Sequence, residues 1–96
     1  MPKGYVIGRA NVTNPTAWAE YAAKAGDAMK KYGGTPIVRG GKMETVEGQS
    51  VPRNIVIEFA SFEAALTYAH SPEYAAAKKL RQGAGTLDLV IVEGAP

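Results

Sequence analysis

Apolar and polar positions alternate from the start of this chain. Between Tyr5 and Val12 the period is two, so Tyr5, Ile7, Arg9 and Asn11 share one face of an extended segment and Val6, Gly8, Ala10 and Val12 share the other. The second set is small and apolar. Small side chains let a helix approach a sheet closely, and that face is therefore assigned to the helices. The period then lengthens: Trp18, Tyr21, Ala22, Ala25, Met29 and Tyr32 recur at three- and four-residue spacing, the apolar stripe of a helix packed on a core. Asn14-Pro15 supplies its start, because Asn14 can accept from an unpaired backbone N–H and Pro15 gives up a donor that the first turn does not use. Gly33-Gly34 supplies its stop, and Lys30 and Lys31 suit the negative end of the helix dipole. The predicted helix has about 18 residues, roughly 27 Å.

Thr35 to Val46 reads as extended but is interrupted at Gly40-Gly41, where paired glycines indicate a bulge, a bend or a close backbone approach. Gly48 to Pro52 is a turn. Asn54 to Phe59 follows as a strongly apolar strand, Ile55, Ile57 and Phe59 alternating with Asn54, Val56 and Glu58, and is placed at the centre of a sheet. Ser61 caps a second helix, with Glu63 in its first turn and Phe62, Ala65, Leu66 and Ala69 facing inward. Ser71-Pro72 repeats the start signal. Proline breaks a running helix, so Ala64 to Ala69 and Glu73 to Arg81 are expected as two pieces hinged at His70-Ser71. Gly83 and Gly85 close the second piece, and Leu87 to Glu93 is the last strand.

The order is βαββαβ. It predicts a ferredoxin-like α+β domain, a four-stranded antiparallel sheet with helices on one face and right-handed crossovers. The other face would then show Tyr5, Ile7, Arg9, Ile37 and Arg39 to solvent, an apolar and charged patch uncommon on a monomer. Two copies are expected to close those faces together as a homodimer, a two-fold dimeric α/β barrel enclosing a partly polar cavity.

The remaining composition narrows the picture by exclusion. With 96 residues the chain is expected to form a single domain spanning 1–96, burying roughly 60–65% of its unfolded surface and gaining from association. A hydrophobic fraction of 46%, with no long apolar span, argues against both a membrane protein and a disordered one. The formal charge is +2, yet the basic residues are scattered and the tyrosines lie on different elements without a basic stripe, so nucleic acid is not expected as a partner. Cysteine is absent, which removes disulfides, thiolate metal sites and thiol nucleophiles together. Met1 to Tyr5 lacks the apolar core of a signal peptide, and the cytoplasm is the expected location.

Candidate chemistry rests on a few side chains. Arg39 beside Gly40-Gly41 can hold a carboxylate or enolate in a bidentate grip, against an alternative role in an inter-subunit ion pair. Glu58, in an otherwise apolar strand, must be paired, with Arg39 as its natural partner, or have a raised pKa that would make it a base. Tyr5 and Arg9 lie on one side of the first strand and could both donate to an anionic ligand. His70 is the only histidine, the side-chain type whose ordinary pKa lies near neutrality, and is thus the candidate for acid–base work, against a local structural role before the capping serine. One histidine without cysteine gives no zinc site, the acidic residues show no calcium loop, and no Gly-rich loop follows a strand as a phosphate cradle requires.

Five segments together resemble one known family: Gly4-Tyr5-Val6-Ile7 with Arg9, Tyr32-Gly33-Gly34, Val38-Arg39-Gly40-Gly41, Ile57-Glu58-Phe59 with Ser61, and Ser71-Pro72-Glu73-Tyr74 with Arg81. The family is the thirteen-thirty domain of unknown function, in the dimeric α/β-barrel superfamily. The resemblance spans nearly the whole chain and implies the barrel dimer but no activity. It adds Tyr74 and Arg81 as residues lining the pocket mouth or bracing the dimer. The superfamily includes antibiotic-biosynthesis monooxygenases, haem-degrading monooxygenases and muconolactone isomerases, which use the pocket between sheet and helices or the barrel interior. Haem is disfavoured, because His70 and Trp18 do not match the positions those members use, and no cofactor is expected. Two readings follow. One is a homodimeric pocket protein acting as a cofactor-free oxygenase or isomerase on a small organic acid or phenol, with Arg39 holding the anion, Glu58 or His70 moving a proton and Tyr5 orienting the ligand. The other is a non-enzymatic binding or stress-response module whose polar residues only lock the sheets in register.

Overall fold

Period-two and period-3.6 segments become strands and helices in the predicted order. The structure, a computed structural model, describes residues 2–96. Its elements are β1 (Gly4–Val12), α1 (Pro15–Lys31), β2 (Thr35–Arg39), β3 (Arg53–Phe59), α2 (Phe62–Ala69), α3 (Pro72–Lys79) and β4 (Gly85–Glu93). The strands form one antiparallel sheet in the order β2-β3-β1-β4, with the helices on one face, a ferredoxin-like α+β architecture.

The caps act as the sequence predicts. Asn14 accepts from the Ala17 N–H at 3.2 Å. At the other end of α1, Gly33 takes the left-handed conformation at φ 81°. The Gly34 N–H reaches back to the Met29 carbonyl and the Gly33 N–H to that of Lys30, which satisfies two carbonyls that the helix leaves open. Ser61 accepts from the Ala64 N–H at 3.1 Å to start α2. Ser71 starts α3 by accepting from the Tyr74 N–H at 3.1 Å, and its own hydroxyl donates to the Tyr68 carbonyl at 2.7 Å. That one buried serine therefore holds both sides of the hinge.

Val6, Ala10, Ile57 and Phe59 from the sheet meet Trp18, Tyr21, Ala25, Ala28 and Met29 of α1 and Ala65, Tyr68, Tyr74 and Ala77 of α2 and α3. Two expectations shift here. Ala28 is buried where Ala22 is expected, and Ala22 is exposed at the edge of a cavity. Tyr68 is the deep residue of α2, stacked on Phe59 with centroids 5.3 Å apart, while Phe62 and Leu66 are only half-buried.

The larger correction concerns β2. The extended pattern predicted up to Val46 ends at Arg39: Gly40 turns the chain at φ 62°, and residues 41–52 carry no strand. Within β2 the pairing slips between Pro36 and Val38, where a bulge adds a residue. A slip of one residue exchanges the faces. Val38 consequently stands opposite Val56, on the uncovered face, and Arg39 stands opposite Ile55, on the helix side, whereas the unbroken alternation predicts Ile37 and Arg39 together on the uncovered face.

The cross-strand register puts Tyr5, Ile7 and Arg9 of β1 between Glu58, Val56 and Asn54 of β3 and Val92, Val90 and Asp88 of β4. Among the described residues no helix covers this face. Val38, Val90 and Val92 on it are 42%, 51% and 41% exposed.

Candidate functional site

The cavity under α1 lies between the helices and the sheet, with a volume of about 110 Å³. Strand alternation makes its floor: Val6 and Gly8 of β1, Ile55 and Ile57 of β3, and Leu87 and Leu89 of β4 all point to the helix side. Gly8 leaves the space open, since a Cβ there would lie 3.1 Å from Leu89 Cδ1 and 3.4 Å from Leu87 Cδ1. Its roof is the Tyr21, Ala25 and Met29 side of α1, with Tyr68 and Tyr74 at the inner end.

Two cations complete the wall, Arg39 and Arg53. Arg39 faces Ile55 across the ladder, so Arg53, two residues before Ile55, is its diagonal neighbour on the same face. Such positions are about 7–8 Å apart, within joint reach of one small anion for side chains as long as arginine. Because Arg39 is exposed, this end of the cavity meets solvent. Arg53 Nε is buried and, among the described residues, has no hydrogen-bond partner. Its guanidinium lies against Gly40, where a Cβ would come within 2.9 Å of Nη1. Among the described residues no aspartate or glutamate lines the cavity.

The inner end is a tyrosine cluster. The Tyr21 and Tyr74 hydroxyls share a buried hydrogen bond of 2.9 Å. Burial, and then Tyr74, push the Tyr21 phenol well above its ordinary range, and burial does the same to Tyr68. Both shifts favour the protonated form of Tyr21 and Tyr68. The Arg81 guanidinium carbon sits 5.2 Å from the Tyr21 ring centroid, a cation–π contact that braces the ring from outside the cavity wall.

The other expected site residues lie elsewhere. Glu58 is on the uncovered face, where it accepts from Lys3 Nζ at 3.0 Å and from the Tyr5 hydroxyl at 3.2 Å. Arg39 is on the opposite face, so the expected Arg39–Glu58 pair does not form within the chain. The Lys3 hydrogen bond lowers the Glu58 pKa, with Tyr5 adding to it, whereas a base required a raised one. Arg9 also lies on the uncovered face, with Asp88 and Asn54 as cross-strand neighbours. His70 is exposed at the C-terminus of α2, away from the cavity lining. Of the residues expected to hold ligand, the structure gathers Arg39 and Tyr74 at the cavity, and sets Tyr5 and Arg9 on the outer sheet face.

Arg53 and Tyr21 are the cavity residues that sequence reasoning passed over. Arg53 was legible, because the period of two through Ile55 and Ile57 carries back to it. Tyr21 was counted only as core.

Solved structures share this fold. A protein of unknown function from Rhodopseudomonas palustris aligns with TM-score 0.78 at 17% identity, covering 99% of this chain and 84% of its own. A hypothetical protein from Arabidopsis thaliana gives 0.69 at 13%, covering 99% and 89%. SnoaB, a cofactor-independent oxygenase from Streptomyces nogalater, gives 0.64 at 10%, covering 100% and 96%. At these identities the likeness is one of fold. No curated protein matches the chain. The sequence itself matches one family over residues 3–95, and on that match the chain belongs to the domain of unknown function family DUF1330.

Proposed function

We propose that this chain is a homodimeric binding protein whose cavity between sheet and helices takes a small organic anion or phenol. The observation that carries the reading is an apolar cavity edged by two arginines and, among the described residues, by no acidic side chain. Binding is favoured over acid–base turnover by the placement of Glu58 and His70 off the cavity and by the firmly protonated Tyr21. A second reading, cofactor-free oxygenation of such a ligand, is supported by the fold shared with SnoaB and needs no protein base if the substrate enters already ionised.

The uncovered sheet face supports the dimer. Its centre is apolar, with Ile7, Val38, Val56 and Val90, and its ends are charged, Glu58 beside Tyr5 and Arg9 four residues further along β1. A two-fold axis through the Ile7–Val56 region would lay Arg9 of one copy toward Glu58 of the other, the self-complementary arrangement of an isologous interface. Native mass spectrometry of freshly purified protein tests both parts. A dimer carrying an additional small mass is the expected result. Arg39→Ala should lose that mass and keep the dimer, since Arg39 lies on the helix side; a monomeric wild type overturns the barrel, and retention of the mass by the variant overturns the role given to Arg39.

A further inference from the structure

We infer that the cavity is a carboxylate site, in which Arg39 and Arg53 together clamp the carboxylate of a ligand whose apolar body is no larger than one ring; this rests on the pocket reading above and narrows it from an anion or phenol to a carboxylate. Four observations converge. Arg53 Nε is buried without a partner, and a charged donor left in that state costs free energy that a bound anion would recover. Gly40 bends the chain at φ 62° and has no side chain, which lets the Arg53 guanidinium lie against the backbone beside Arg39. Diagonal placement on the ladder sets Arg39 and Arg53 on one face within joint reach of a small anion, and each planar donor fork matches two carboxylate oxygens. Finally, the wall carries two cations and, among the described residues, no acidic side chain. An ionised carboxylate gains more from such charge-assisted donors than a neutral phenol O–H does.

Size follows from volume. At about 110 Å³ the cavity is smaller than the roughly 150 Å³ at which an apolar engineered cavity takes up benzene, so a single ring is the upper limit for the apolar body, with the head group at the arginine edge.

Titration calorimetry with benzoate, its neutral analogue benzamide, and phenol separates the cases. Benzoate should bind at least about tenfold more tightly than either neutral probe, as a charge-assisted bidentate contact requires. Arg53→Gln should weaken benzoate by about tenfold or more and benzamide by much less, and Arg53→Lys should restore little of the loss because it keeps the charge without the fork. Arg39→Gln, at an exposed strand end, should lower benzoate affinity in the same direction, and thermal melts of all three variants check that they fold. Equal binding of benzoate, benzamide and phenol, or benzoate binding unmoved by both glutamine variants, overturns the carboxylate clamp while leaving the pocket reading standing. Failure of all three probes to bind wild-type protein at millimolar concentration overturns both.

Discussion

At the scale of single residues, the cavity and its rim depend on a few groups whose neighbours fix their behaviour. Tyr21 and Tyr74 satisfy one another, so removing one hydroxyl strands the other in a buried place. Tyr21→Phe should cost about 1–3 kcal/mol in chemical unfolding, and the double variant Tyr21→Phe/Tyr74→Phe should cost less than the sum of the singles, because no unpaired hydroxyl then remains. An additive double mutant would show that the bond carries no coupling. Gly40 is the second case. Alanine there must hold φ near 62° and displace the Arg53 guanidinium, so Gly40→Ala should lower stability by about 1–2 kcal/mol from backbone strain, read as a shift in the urea midpoint. Of these features, glycine at a chain reversal was readable from the sequence; the arginine lying on it was not, because residues 40 and 53 meet only through the β2–β3 ladder.

At the scale of elements, α1 and α3 are joined at their ends by Glu73. It pairs with Lys31 and accepts from the Tyr32 hydroxyl at 2.7 Å, contacts that lower its pKa to about 2 from an ordinary 4.5. A carboxylate whose folded-state pKa is depressed stabilises the fold above its unfolded pKa and loses that contribution as the pH falls toward the folded value. The contribution of Glu73 is therefore complete near neutrality and fades between about pH 4.5 and 2. Urea midpoints at pH 7 and pH 3 should fall further for wild type than for Glu73→Gln, and equal falls would remove the clasp as a cause. Ser71, buried and bonded on both sides of the hinge, belongs to this scale too. Ser71→Ala should cost about 1 kcal/mol, the usual loss for a helix N-cap, and the near-UV signal of the adjoining tyrosines should change with it. Both hinge and caps were legible, since Ser-Pro and Asn-Pro act through bonds to residues two or three positions away. The bulge in β2 was not. Nothing local distinguishes Pro36-Ile37-Val38 from a regular strand until β3 is beside it, and that single slip moved Arg39 from the sheet's outer face into the cavity.

At the scale of the whole molecule, the helices cover one side of a sheet whose other side carries exposed valines. A second copy placed there would make stability depend on concentration, because association draws the folded chain into the dimer. The melting temperature should rise with protein concentration across the micromolar range, and Val56→Glu, a charge in the middle of that face, should give a monomer by light scattering. A concentration-independent melt together with a dimeric Val56→Glu would remove this face as the interface.

The sequence by itself determined the order, type and ends of nearly every element, because periodicity, caps and glycine stops act over a few residues and need no partner. It also determined which face of β1 meets the helices, since Gly8 and Ala10 leave room that Tyr5 and Arg9 would fill. Only the tertiary structure decided the site. It separated Arg39 from Glu58, set Arg39 on the same face as Arg53 and closed the Tyr21–Tyr74 pair, since each of these depends on register and on the packing of one element over another. Those are long-range relations, set when the whole sheet forms, and no stretch of the chain specifies them alone.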